Sequence, residues 1–237
     1  MTKFRRFLSI AFLVAITHSA ASQTRPTADE LASAIHKGDP DVVRSMLANG
    51  APVGALSHDG FAPLANAVML GASTRLRPQA LEIVKLLVES GADIEQQGPR
   101  GNTPLTAAVG WSTPEIVEYL LIKGANPNSR GYGGTAALYQ ATRHKKAQIT
   151  ELLIRHGANV NAASEVGWTP LHLAVINGME STVKLLIDSG ANINSRDVEG
   201  KTPRSWAKGE ISSSCLDCRS LATPSLIELL ERSGARE

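Results

Sequence analysis

Gly167-Trp-Thr-Pro-Leu-His-Leu-Ala-Val-Ile-Asn-Gly178, continuing to Gly190-Ala-Asn-Ile-Asn194, is the stretch whose reading decides the fold. Thr169 stands where a side chain can cap a helix, and Pro170 would occupy the first helical position, where its missing N–H costs nothing. Leu173 and Ala174 follow as small or slender residues that let a first helix pack closely on its neighbours. Beyond Gly178, Val183-Lys-Leu-Leu-Ile187 places apolar residues at i, i+3 and i+4, the stripe of a second helix with one face to bury. Gly190 then offers the left-handed conformation that commonly closes a helix. The residues from Ala191-Asn192 to the next glycine are polar and turn-rich, as a projecting hairpin would be.

The same pattern recurs outward from this stretch. Gly-Ala occurs at Gly91, Gly124, Gly157 and Gly190 with a constant spacing of 33, and more distantly at Gly50 and Gly234. An apolar helical run precedes each, such as Ile83-Val-Lys-Leu-Leu87, Ile116-Val-Glu-Tyr-Leu-Leu121 and Leu226-Ile-Glu-Leu-Leu230. Between them lie Ala62-Pro-Leu, Thr103-Pro-Leu, Thr169-Pro-Leu and Thr202-Pro-Arg, each two residues after a glycine, with Thr135-Ala-Ala as a weaker version. A fixed period of this length marks a stack of identical supersecondary units.

Period, internal motif and helix pattern together resemble the ankyrin repeat. The resemblance covers roughly residues 27–237 and implies an all-α ankyrin-repeat solenoid of about six helix-turn-helix units with short β-hairpin fingers. The units are expected at about 27–57, 58–97, 98–130, 131–163, 164–196 and 197–237, inside a domain of residues 22–237. The first and last are imperfect, as caps of an array usually are. The second unit carries about eight extra residues around Gly71 to Gln79, and the last about eleven, including Ser212 to Cys218. The fourth lacks the motif proline at Ala136 and is expected to hold one extra residue near His144. Insertions map to loops, which either serve function or are tolerated surface.

Residues 1–21 read as a secretory signal peptide. Lys3, Arg5 and Arg6 precede the apolar run Phe7 to Ile16, and Ser19-Ala20-Ala21 presents small residues for cleavage. The apolar run is too short for a bilayer span, which needs roughly 20 residues. This predicts an exported chain, periplasmic or secreted, with no membrane attachment after cleavage. The whole chain has 24 Lys and Arg against 22 Asp and Glu. Losing the three basic residues of the leader leaves an excess of one acid, so no general electrostatic footprint for nucleic acid remains. Cys215 and Cys218 are the two cysteines, and in an oxidising compartment a local disulfide is the default. A zinc site would need further ligands, and a redox dithiol should follow a strand of a βαβ unit; neither context is visible.

No catalytic, cofactor or metal site is expected. The histidines show no metal-ligand spacing, and neither a nucleophile elbow nor a phosphate loop is present. The resemblance gives His172 a structural hydrogen-bonding role. It also implies a protein partner, bound where hairpin tips and first-helix ends line one surface. Those positions carry Phe61, Arg100, Tyr132 and Trp168 on the fingers, and Met69, Leu70, Trp111, Arg143, Ile176 and Asn177 at the helix ends. Exposed aromatics and arginines are the residues that typically dominate interface energetics. The expected function is therefore a monomeric protein-interaction scaffold in the periplasm, in its sharper form an inhibitor or immunity protein for an exported enzyme. Support of a periplasmic haem enzyme under oxidative stress, and an effector role inside a host cell, are the alternatives.

Overall fold

A computed structural model describes residues 25–209 and 222–236. The signal-peptide reading of residues 1–21 and the Cys215–Cys218 disulfide lie outside the described residues. Within them the chain forms twelve α-helices in six antiparallel pairs: α1 (Ala28–Lys37) with α2 (Pro40–Ala48), α3 (Pro63–Leu70) with α4 (Arg77–Glu89), α5 (Pro104–Trp111) with α6 (Pro114–Ile122), α7 (Ala137–Arg143) with α8 (Ala147–Arg155), α9 (Pro170–Ile176) with α10 (Glu180–Asp188), and α11 (Pro203–Ala207) with α12 (Pro224–Arg232). Odd-numbered helices pack on one another from α1 to α11, and even-numbered helices do so from α2 to α10. The result is a two-layer solenoid of helix-turn-helix units.

Local chemistry starts the helices as the sequence implies. Thr103, Thr169 and Thr202 accept hydrogen bonds from the third backbone N–H of α5, α9 and α11, each with proline in the first turn. Thr27 and Thr223 do the same for α1 and α12. The two layers differ in how much they bury. Every residue of α9 is buried, and in α3 all but Met69 are. These helices lie between neighbours on both sides and are apolar apart from Asn66 in α3 and His172 in α9. The second helices bury one stripe, for example Ile116, Val117, Leu120 and Leu121 of α6, and leave the opposite face to water.

The fingers between units are single-rung hairpins. The N–H groups of Ser57, Gly98, Gly131, Ser164 and Asp197 donate to the carbonyls of Phe61, Asn102, Thr135, Trp168 and Lys201 at 2.9–3.0 Å. Arg130 and Ala136 form the one isolated antiparallel bridge, and no strand forms among the described residues. Five-residue tips leave room for one or two rungs, too few for a ladder.

The Gly-Ala-Asn-x-Asn segments join the units on another side. Asn128 Oδ1 accepts from Asn159 N at 2.7 Å, Asn159 Oδ1 from Asn161 N at 2.9 Å, and Asn161 Oδ1 from Asn192 N at 2.7 Å. Asn192 Oδ1 then accepts from Asn194 N, and Asn194 Oδ1 from Arg236 N. At the other end Glu95 takes the asparagine's place, accepting from Asn126 N at 2.7 Å. A polar ladder thus crosses from unit to unit along surface loops that would otherwise leave backbone donors to water alone.

Two sequence expectations change here. The extra residues of the second unit are not only a loop: α4 has 13 residues where α2, α6, α8, α10 and α12 have nine, so about one turn of the insertion becomes helix. The fourth unit holds no extra residue. Lys145, at φ 56°, occupies the left-handed turn position that Gly178, at φ 65°, occupies in the fifth. With lysine at this position, the glycine that marks the turn in the first and fifth units is missing from the sequence.

Candidate functional site

Three adjoining cavities run along the finger side of the first helices. One, of about 440 Å³, lies between the second and third units and includes Phe61, Ala65, Met69, Arg100 and Trp111 in its walls. The next, of about 540 Å³, lies between the third and fourth and includes Arg100, Thr106, Trp111, Tyr132, Tyr139 and Arg143. The third, of about 560 Å³, continues past Tyr139 and Arg143 to Glu165 and Val166. Shared walls make them one groove.

Trp111 and Tyr132 stand out in it, with 66% and 65% of their surfaces exposed. Hydrogen bonds hold the backbone beneath both. The N–H of Tyr132 donates to Asn102 Oδ1 of the preceding finger at 2.9 Å, and Thr135 Oγ1 donates to the Tyr132 carbonyl at 2.9 Å. Arg100 places its guanidinium over the Tyr132 ring, 5.6 Å from the centroid, a cation–π arrangement. Lys146 Nζ donates to the carbonyls of Val109 and Gly110, both at 2.8 Å, and so closes the end of α5 just before Trp111. Partial burial pulls the Lys146 ammonium below the usual lysine value. His144 is likewise held below the ordinary imidazole range, first by burial and then by the charges of Arg143 and Lys146.

The candidate binding residues therefore separate. Phe61, Met69, Arg100, Trp111, Tyr132 and Arg143 converge on the groove. Leu70 and Ile176 do not: at 8% and 7% exposure they are packed, Leu70 within the main core. Asn177 donates from Nδ2 to the Thr142 carbonyl at 3.4 Å and serves the joint between units. Trp168 is half-buried, meets Trp206 edge-to-face with centroids 5.0 Å apart, and donates from Nε1 to Asp197 Oδ2 at 3.2 Å. Trp206 Nε1 donates to the same oxygen at 2.9 Å, while Asp197 Oδ1 accepts from the N–H groups of Glu199 and Lys201. A buried carboxylate with four donors holds the fourth finger, Ser164 to Trp168, on the sixth unit. Gly167 is needed beside it, because a Cβ there would lie 2.9 Å from Asp197 Cα.

His172 has the structural role expected of it. Its Nδ1 accepts from Thr169 N at 3.2 Å, which assigns the proton to Nε2, and Nε2 donates to the Lys201 carbonyl at 3.3 Å. Tyr139 and His144 are groove residues that sequence reasoning passed over. Tyr139 sits 33 residues before His172, in the motif's histidine position, and His144 sits 33 after Trp111. An extra residue near His144 would shift the register by one and hide the second equivalence; the structure holds none. Among the described residues, no group of three or more His, Cys, Asp or Glu could hold a metal ion, and no helix is long and apolar enough to cross a membrane.

Comparison with known proteins agrees with this architecture. The family model for ankyrin repeats (3 copies) matches residues 31–131 and 130–197, more than half of the chain. A putative ankyrin repeat-containing protein from Treponema pallidum (strain Nichols) is 32% identical over 93 residues, which is 39% of this chain and 28% of that protein. The chain thus matches well under a third of that relative's length. Ankyrin arrays are protein–protein interaction modules, generally without catalysis of their own. The helix pairs, the Thr-Pro-Leu-His motif with its buried histidine and the matched residues place this chain in the ankyrin-repeat family.

Proposed function

We propose that this chain is exported and binds a partner protein in the groove between its second and fifth units, acting there as an inhibitor or immunity protein that covers an exported enzyme. The observation that carries the binding reading is the pair of exposed rings, Trp111 and Tyr132, fixed on hydrogen-bonded supports above adjoining cavities. A soluble array has no folding reason to expose two large aromatics side by side, and rigid presentation lowers the ordering cost of binding. The charged start and small-residue site of residues 1–21 support export.

Changing Trp111, Tyr132 and Arg143 together to alanine tests the groove. Partner capture, by cross-linking in the native compartment, is expected to weaken by about 30-fold or more, the equivalent of one hot-spot residue at roughly 2 kcal/mol. The helical circular dichroism should be unchanged, since all three side chains are largely solvated. Capture at wild-type affinity would remove this face as the binding site. Export is tested by fractionation together with the N-terminus of the mature protein; an uncleaved cytoplasmic chain would refute it.

A further inference from the structure

The groove has a sign. Its central cavity is walled by Arg100, Arg143, His144 and Lys146 and by no acid. Asp59 and Glu165 are the acids that line the cavities on either side. The whole chain has nearly equal numbers of acidic and basic residues, so this local excess is a property of the site and not of the protein at large. Lys146 is committed to two carbonyls of α5. Arg100 lies over Tyr132. Both arginines are exposed at the rim of the cavity, flanking Trp111 and Tyr132.

Arg100 also carries a conformational cost. Its φ is 69°, in the left-handed region, whereas the corresponding position of the next finger is Gly133 at φ 67°. A left-handed residue with a side chain is disfavoured by roughly 1–2 kcal/mol. The finger accepts that cost and places a guanidinium on the ring face of its neighbour.

Resting on the scaffold reading above, we infer that the occupant of the groove is a short acidic segment of the partner protein, with carboxylates beside an apolar or aromatic side chain. Arg100 and Arg143 would each receive a carboxylate, an interaction for which the planar guanidinium is suited. The apolar side chain would sit between Trp111 and Tyr132. Asp59 and Glu165 limit the length of the anion. A nucleic acid following the groove would bring phosphates against both carboxylates, and a short acidic peptide would not.

The test selects peptides from a random displayed library on the full-length protein, then measures their affinities by fluorescence anisotropy. The variants are Arg100→Gly with Arg143→Gln. Arg100→Gly relieves a left-handed residue, so the fold should be at least as stable as wild type by thermal denaturation, and loss of binding cannot be assigned to unfolding. Enriched peptides are expected to carry Asp or Glu next to an apolar residue, to bind more weakly as salt rises, and to lose at least about tenfold in affinity on the double variant. Enrichment of neutral or basic peptides would overturn the inference, as would no enrichment at all. Equal binding by the double variant, or displacement by a thymidine oligonucleotide at lower concentration than the peptides themselves require, would overturn it too. If Trp111→Ala abolishes capture of the native partner while the selected peptides carry no acid, the scaffold reading stands and the acidic occupant alone falls.

Discussion

At the scale of single residues, His172 shows how a motif letter becomes a stability term. The ring is fully buried, accepts from Thr169 and donates to the Lys201 carbonyl, so it is held neutral with its pKa below the ordinary imidazole value, chiefly by burial. In the unfolded chain the ring regains its usual value near 6.5. As pH falls below that value, the unfolded chain takes up a proton that the folded ring refuses, and folding stability drops until the folded ring protonates as well. His144 shifts in the same direction and adds to the effect. His172→Gln removes one contributor, so urea-denaturation stability should fall less steeply than wild type between about pH 7 and about pH 5. An identical slope for both proteins would show that His172 is not the linked group. His172→Gln should itself cost stability near neutral pH, because a flexible amide replaces the rigid ring that bonds both Thr169 N and the Lys201 carbonyl.

At the scale of elements, the joints between units matter more than the helices themselves. Helices of seven to nine residues are too short to persist alone in water. What fixes them are the contacts between layers, the single-rung fingers and the asparagine ladder. Asn161 illustrates the ladder, because it accepts from Asn192 N at 2.7 Å and donates to the Gly190 carbonyl at 3.2 Å. Asn161→Ala removes both links between the fourth and fifth units. It should cost about 1–2 kcal/mol, within the range for lost hydrogen bonds at a partly solvated site. Hydrogen exchange checks it locally: the Asn192 amide should lose protection while amides of α1 keep theirs. Uniform loss across the chain would mean that the ladder is not a local joint.

At the scale of the whole molecule, each unit touches mainly its neighbours, so stability is a sum of unit and interface terms. Leu138, 1% exposed on α7, lies in the fourth unit, whose first helix packs on both α5 and α9. Leu138→Ala should cost about 2–5 kcal/mol through lost burial and the cavity left behind. Hydrogen-exchange protection should fall first in α7 and its neighbours α5 and α9. An all-or-none loss that includes α1 equally would show that the array unfolds as one unit rather than by its interfaces.

Much of this was legible in the chain itself. A constant spacing of 33, Thr-Pro at helix starts, glycine at helix ends and an i, i+3, i+4 stripe are local signals, and they specify the six helix pairs without knowledge of any long-range contact. The family follows from the same residues. The site was legible in part. Phe61, Met69, Arg100, Trp111, Tyr132 and Arg143 fall on the groove because finger and helix-end positions repeat with the period. What the period could not decide is how far each side chain is buried, since that depends on the neighbouring unit. Leu70 and Ile176 share register with Trp111 and Arg143 yet are packed away, and Trp168 is drawn down by Asp197 and Trp206. The conversion of half an insertion into a longer α4, and the gathering of Arg100, Arg143, His144 and Lys146 around one cavity, likewise arise only when units stack. The sequence by itself determined a stack of ankyrin units, because backbone preferences and helix caps are local. Tertiary structure decided which repeated positions stay exposed along the groove, because exposure and charge are properties of neighbours brought together across the repeat.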